Sequence, residues 1–227
     1  MKAGEVMAEA WDGYKAHFRH LVPIALVVYV LIALLTLLLL ILLGFVGAII
    51  GFFIGIAGVF WLQGALVVAI QDVRDGRADL SLGETLSRVR PRLNTLALAG
   101  VLAALGVGLG LLLLIVPGLI LWTWWLVIVP VIMLEGTGVT AAFGRSRELV
   151  RGHGWSVFGV LLLTILVLIG VDLVFSLIAA GVDNAPVTLL LDIASQTLMA
   201  PFIALAWTVT YFRLRTLEGP PAAEFAA

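Results

Sequence analysis

Two acidic residues, Asp172 and Asp192, stand in stretches that are otherwise almost wholly apolar. A carboxylate in lipid is costly, so each is expected to be protonated, in contact with water, or bound to a cation. Both lie near the turn at 181–186, and a proton or cation site at a shared depth is one reading. The other places Asp192 in the outer interface and leaves Asp172 with Ser176, one turn on, as its polar neighbour. A second set lies in "EGTGVTAAFGRSRELVRGHGW", Glu135 to Trp155, where Arg145, Arg147 and Arg151 suit headgroup phosphates or an acidic partner. Glu135 is within reach of Arg145 or Arg147 as a structural ion pair. His17 and His20 are spaced for two metal ligands on a helix, but no carboxylate at a recognised spacing joins them, so no metal is expected. The chain has no cysteine, and no HExxH, phosphate loop or GxSxG is present. No catalytic residue and no cofactor are expected, and an enzyme has no obvious seat.

The elements that must carry these residues follow from composition. The 227 residues are 63% hydrophobic and 12% charged, with a mean hydropathy of +1.19. A soluble domain carries about twice that charge. A net charge of −1 argues against a nucleic-acid surface. Spans are expected at Leu21–Leu43, Phe45–Ile70, Leu96–Val116, Pro117–Leu134, Trp155–Gly181 and Pro186–Phe212. Backbone polar groups must be satisfied internally in lipid, and stretches this long do so as helices. The breaks at Gly44, Pro117-Gly118 and "GVDNAP" read as tight turns. With six spans, all thirteen Lys and Arg residues fall on one side, the side of both termini. The positive-inside rule makes that side cytoplasmic and the chain a multi-pass protein of the cytoplasmic membrane. The N-terminus, with Glu5, Glu9 and Asp12 ahead of a long apolar run, does not read as a cleavable signal peptide.

The connections on the charged side are amphipathic. On a helical projection Val139, Ala142, Phe143, Ser146, Leu149, Val150 and His153 share one arc, and Gly144, Arg145, Arg147, Glu148 and Arg151 the other. The N-terminal arm puts Met7, Ala10, Trp11, Tyr14 and Phe18 on one face. The middle connection does the same with Leu82, Leu86, Val89 and Leu93, and its "SLGE" start is a capping box of Ser81 and Glu84. Pro91 is expected to bend or restart that helix. The fold class is therefore an all-α integral membrane bundle, one polytopic domain of three units, each an amphipathic helix plus a transmembrane hairpin. The units cover 1–70, 80–134 and 138–212, followed by a cytoplasmic tail, 213–227. Gly47, Gly51 and Gly55 form a small-residue stripe for close helix packing, within the chain or in a homodimer. Pro130 and Pro201 are expected to kink their helices, and Trp122, Trp124 and Trp125 to join an outer aromatic belt.

The stretch from Pro130 to Val160 also resembles the signature of the glycerophosphoryl diester phosphodiesterase membrane-domain family and its six-span bacterial and archaeal relatives. Pro130 and Glu135 close a span. Ala141, Arg145 and Ser146 follow as Ala-x-x-x-Arg-Ser, then Leu149, Val150 and Gly152, then the aromatic Trp155. The N-terminal "EVMAEAWDGYKAHFRHLVPIAL" is similar to that family's first helix. The resemblance implies a fold and a membrane context. It implies no phosphodiesterase activity, because the catalytic domain joined to some members has no counterpart here. The expected role is a non-enzymatic module that organises membrane lipid or a protein partner. The alternative is a small transporter or channel built on Asp172 and Asp192.

Overall fold

A computed structural model of the chain describes residues 1–76, 80–182 and 184–218. Arg77, Asp183 and the tail from Gly219 onward, on which parts of the reading above fall, lie outside the described residues. The regular elements are helical: α1 (Ala3–Arg74), α2 (Leu82–Val89), α3 (Leu93–Leu113), α4 (Ile115–Trp124), α5 (Ile128–Pro130), α6 (Val139–Val150), α7 (Gly154–Ala180) and α8 (Ala185–Leu217). Five segments are long and apolar enough to cross a membrane: Ala3–Arg74, Leu82–Leu113, Ile115–Glu135, Gly154–Ala180 and Pro186–Leu217. Their outward surfaces are apolar to an extent that water would oppose. Ile41 is 71% exposed, and Phe45 and Leu112 are each 81% exposed. Such a surface suits acyl chains.

α1 is longer than any single crossing requires, and it departs from helical geometry twice. At His17 (φ −118°, ψ 17°) the N-terminal amphipathic part ends. At Gly44 (φ 55°, ψ −129°) the backbone enters a region closed to residues with a Cβ. The chain doubles back there. A Cβ on Gly47 would run into the Leu39 carbonyl, one on Gly51 would lie 2.9 Å from Thr36, and one on Gly58 2.6 Å from Ile32. Partner numbers fall as glycine numbers rise, which is the register of an antiparallel helical hairpin. Gly55, on the same stripe, has open space beside it.

α3 and α4 form the next hairpin around extended Leu114 (φ −157°, ψ 130°). A Cβ on Gly110 would stand 2.8 Å from the Gly118 backbone, and one on Gly106 2.7 Å from the Trp125 ring. The segment after this turn is not one helix from Pro117 to Leu134 with a kink at Pro130. It breaks earlier, at Trp125–Val127, then resumes as α5 and a π turn over Val131–Glu135. The cause is local. Pro130 has no N–H for the Leu126 carbonyl, and its ring crowds that carbonyl, so the defect appears one turn upstream. Pro91 sits in a 3₁₀ turn, Arg90–Arg92, which restarts the chain as α3. Pro201, by contrast, lies within an unbroken α8.

The three polar connections are helical and lie against the bundle. In α6, Ala142, Ser146, Leu149 and Val150 are buried while Arg147, Glu148 and Arg151 are exposed, as the 3.6-residue period requires. In α2 the capping box is formed, with Ser81 accepting from the Glu84 N–H and Glu84 accepting from the Ser81 N–H at 2.9 Å. Thr85 and Val89 are its buried residues. The N-terminal part of α1 buries Val6, Ala10 and Tyr14, a stripe rotated from the expected one, and leaves Trp11 50% and Phe18 39% exposed. The rotated stripe lets Arg213 of α8 hold both Glu5 (3.2 Å) and Glu9 (2.8 Å). The core lies where α1, α5, α6 and α8 meet, with Leu62, Leu66, Leu126, Ile132 and Leu214 almost fully buried.

Candidate functional site: an arginine-bearing helix tied to the bundle

The chemistry concentrates at the end of the segment that closes on Glu135. The π turn ends at Gly136 in the left-handed region (φ 72°), and α6 begins three residues later, after extended Gly138. That corner returns the chain along α5, so α6 packs against the two halves of the broken segment. The return is fastened at the break. Trp124 ends α4, and its carbonyl accepts a 2.7 Å bond from the Ser146 hydroxyl, which is fully buried. Ser146 thus supplies a donor at a helix end that its own helix leaves short. Phe143 meets the Trp125 ring edge-on at 4.7 Å, and the Arg147 guanidinium lies 4.3 Å over the Trp124 ring. Trp124 and Trp125 accordingly pack against α6.

Glu135 is the hub of a charged junction. Its side chain is 14% exposed, and it accepts from Arg145 Nε at 2.9 Å, from the Tyr211 hydroxyl at 3.0 Å and from Arg215 at 3.2 Å. Arg145 turns its other two nitrogens to Glu218, 2.6 Å to each carboxylate oxygen. This is the fork geometry that suits a guanidinium. Glu218 first, with Glu135 behind it, holds the Arg145 guanidinium charged well above its ordinary range, although partial burial opposes this. One carboxylate therefore joins the end of the broken segment, α6 and the end of α8. Arg145, the first of the three arginines, is spent inside this junction. Arg147 and Arg151 are exposed, and among the described residues no carboxylate pairs with either.

The other candidates are placed as follows. Pro130 is buried beside the break. Gly152 (φ 83°) makes the corner between α6 and α7 in a conformation that favours glycine. Trp155, at the start of α7, is 87% exposed and available to an interface. Asp172 on α7 accepts a 2.6 Å bond from Ser195 of α8, whose side chain is buried. Its polar neighbour comes from the next helix and not from Ser176. Asp192 is exposed and makes no hydrogen bond to Asp172. Among the described residues, no group of three His, Cys, Asp or Glu side chains could hold a metal ion.

The sequence reading missed Tyr211, Arg215 and Glu218 as partners of this junction, and Arg213 as the clamp on Glu5 and Glu9. Tyr211 is 76 residues from Glu135 and Arg213 is 204 from Glu9. A usable signal was present in "TYFRLR", which puts Tyr211 and Arg215 one turn apart on one face and Arg213 on another, at the end of an apolar run. No protein-family model, no curated protein and no solved structure matches the chain.

Proposed function

We propose that the chain is a non-enzymatic multi-pass membrane module, with both termini in the cytoplasm, that organises anionic lipid or a protein partner through α6. The five long apolar segments become six crossings once α1 is counted as the hairpin that Gly44 makes of it. The three amphipathic helices then fall on one side, together with the Lys and Arg residues, which fits the cytoplasmic membrane. The stretch from Pro130 to Val160 supports a relationship to the membrane module of the glycerophosphoryl diester phosphodiesterase family.

One observation carries the reading. α6 is fastened to the bundle by Ser146 and Arg145, and the same helix with its C-terminal cap leaves Arg147 and Arg151 exposed, without carboxylate partners among the described residues. A helix that needed only to stay in place has its ties already, and the two remaining cations suit phosphates or an acidic surface. The test is extraction from native membranes into polymer nanodiscs, followed by mass spectrometry of what accompanies the protein. Wild type should carry enriched anionic lipid or a stoichiometric partner. Arg147→Glu with Arg151→Glu should lose it while inserting normally, and unchanged cargo would sink the assignment. Arg145 must be left intact in this test, because reversing it would break the Glu135 junction.

The alternative, a small ion or solute transporter, has one observation in its favour: Asp172 and Ser195 bridge α7 and α8 within apolar surroundings. It requires flux in proteoliposomes that Asp172→Asn abolishes. Flux indifferent to that change rules out the site.

A further inference from the structure

α4 and α7 leave a cleft of about 730 Å³ between them. Its long wall is one face of α4, where Val116, Leu119, Ile120, Thr123 and Trp124 recur at three and four. Its floor is the corner from Gly152 to Trp155, which opens α7. The wall is apolar and accessible from outside the bundle, with Val116 66%, Ile120 42% and Trp155 87% exposed. A Cβ on Gly152 or Gly154 would meet nothing within 4 Å, so the floor backbone faces open space.

The charge sits at one end. Trp124, a wall residue, carries the Arg147 guanidinium 4.3 Å above its ring, and Arg151 directly precedes the floor residue Gly152. Glu148, the nearest acidic residue in α6, is directed at Arg145 (3.8 Å) and is 70% exposed. The cleft is thus apolar along its wall, with Arg147 over one of its lining residues and Arg151 next in the chain to another. Its length excludes a crossing helix as the occupant. From Val116 to Trp124 the α4 wall rises about 12 Å, well short of the roughly 30 Å that a crossing helix covers.

We propose that this cleft binds a single anionic glycerophospholipid, an acyl chain lying along α4 and the phosphate held by Arg147 and Arg151. The inference rests on the membrane-module reading above and narrows its lipid arm to one site and one class of ligand.

The test uses the full purified chain in neutral detergent, offered dioleoyl phosphatidylglycerol and dioleoyl phosphatidylcholine at equal mole fraction, with native mass spectrometry as the readout. Wild type should retain one phosphatidylglycerol, preferred over phosphatidylcholine by about tenfold. Arg147→Ala with Arg151→Ala should bind the two lipids alike, while Arg147→Lys with Arg151→Lys should keep a preference, showing that lost charge and not lost folding is responsible. Gly154→Leu, which builds a side chain into the open floor, should retain neither lipid, and Arg19→Ala should match wild type. If wild type prefers phosphatidylglycerol but the paired alanine variant and Gly154→Leu do so equally, the cleft assignment falls and the wider lipid reading survives. If wild type retains both lipids equally, or neither, the cleft assignment and the lipid arm fall together.

Discussion

Glu135→Ala should be among the most damaging single changes available at the cytoplasmic end of the bundle. It removes the acceptor for Arg145 Nε (2.9 Å), for the Tyr211 hydroxyl (3.0 Å) and for Arg215 (3.2 Å). The first two bonds involve a charged partner in a setting where Glu135 is only 14% and Arg145 26% exposed, and each contributes about 1.5–3 kcal/mol in such places. Arg215 is half exposed, so its share is below about 1 kcal/mol. Arg145 keeps its fork to Glu218, which offsets part of the loss. A net cost of about 2–4 kcal/mol is expected. Glu148→Ala is the matched control: it also removes a carboxylate near Arg145, but at 3.8 Å and 70% exposed, and should cost no more than about 0.5 kcal/mol. The assay is unfolding in mixed micelles titrated with sodium dodecyl sulfate, followed by circular dichroism. Pairing Glu135→Ala with Arg145→Ala in a double-mutant cycle should give a coupling of roughly 1–2 kcal/mol. Equal costs for Glu135→Ala and Glu148→Ala, or a coupling near zero, would refute the junction as a structural tie.

Three further expectations follow from the packing. Ser146→Ala leaves the Trp124 carbonyl without its donor in a buried site and should cost about 1–3 kcal/mol in the same assay, with Trp124 fluorescence altered through the loosened break. Gly47→Ala should disrupt the first hairpin, because the new methyl group collides with the Leu39 carbonyl, whereas Gly55→Ala should be tolerated; yield and thermal stability after purification compare the two directly. The carboxyl of Glu84 is held below its ordinary value of 4.5 by the Ser81 hydroxyl and backbone, so its contribution to the α2 cap is complete above that value and is lost as pH falls through the lower, folded-state one. Amide exchange at the start of α2 should therefore accelerate in acid, and Glu84→Gln should remove that pH dependence.

The readable parts of this molecule are those set by local periodicity. Ala142, Ser146, Leu149 and Val150 recur at three and four, and the structure buries all of them. The Ser81–Glu84 cap needs only a four-residue window and is likewise formed. Gly44 was legible as a turn because it interrupts two long apolar runs. Residues far apart in the chain were harder. Glu135 could be matched with Arg145, ten positions on, but nothing local tied it to Tyr211 or Arg215, since that requires the last helix to end beside the π turn that closes on Glu135. The rotated N-terminal stripe was hidden for the same reason: Trp11 looks like a core residue on a helical wheel, but the face is set against α8, where Arg213 meets Glu5 and Glu9. Asp172 could be flagged as unusual, yet its partner Ser195 lies on a neighbouring helix whose register a single sequence does not fix. The break at Trp125 was half visible, since Pro130 announced a defect but the carbonyl it deprives lies one turn earlier.

The proposal for α6 depends on its facing the same side of the membrane as the other two amphipathic helices, with the turns at Leu114 and Gly181 on the opposite side. The chain has no cysteine of its own, so single replacements at Ala8, Ser87 and Glu148, and at Leu114 and Gly181, can be probed in intact cells with a membrane-impermeant maleimide. All five positions are exposed. Labelling of Leu114→Cys and Gly181→Cys alone, with Ala8→Cys, Ser87→Cys and Glu148→Cys reacting only after the membrane is opened, is the predicted result. Labelling of Glu148→Cys from outside, together with Leu114→Cys, would place α6 on the wrong face and contradict the account.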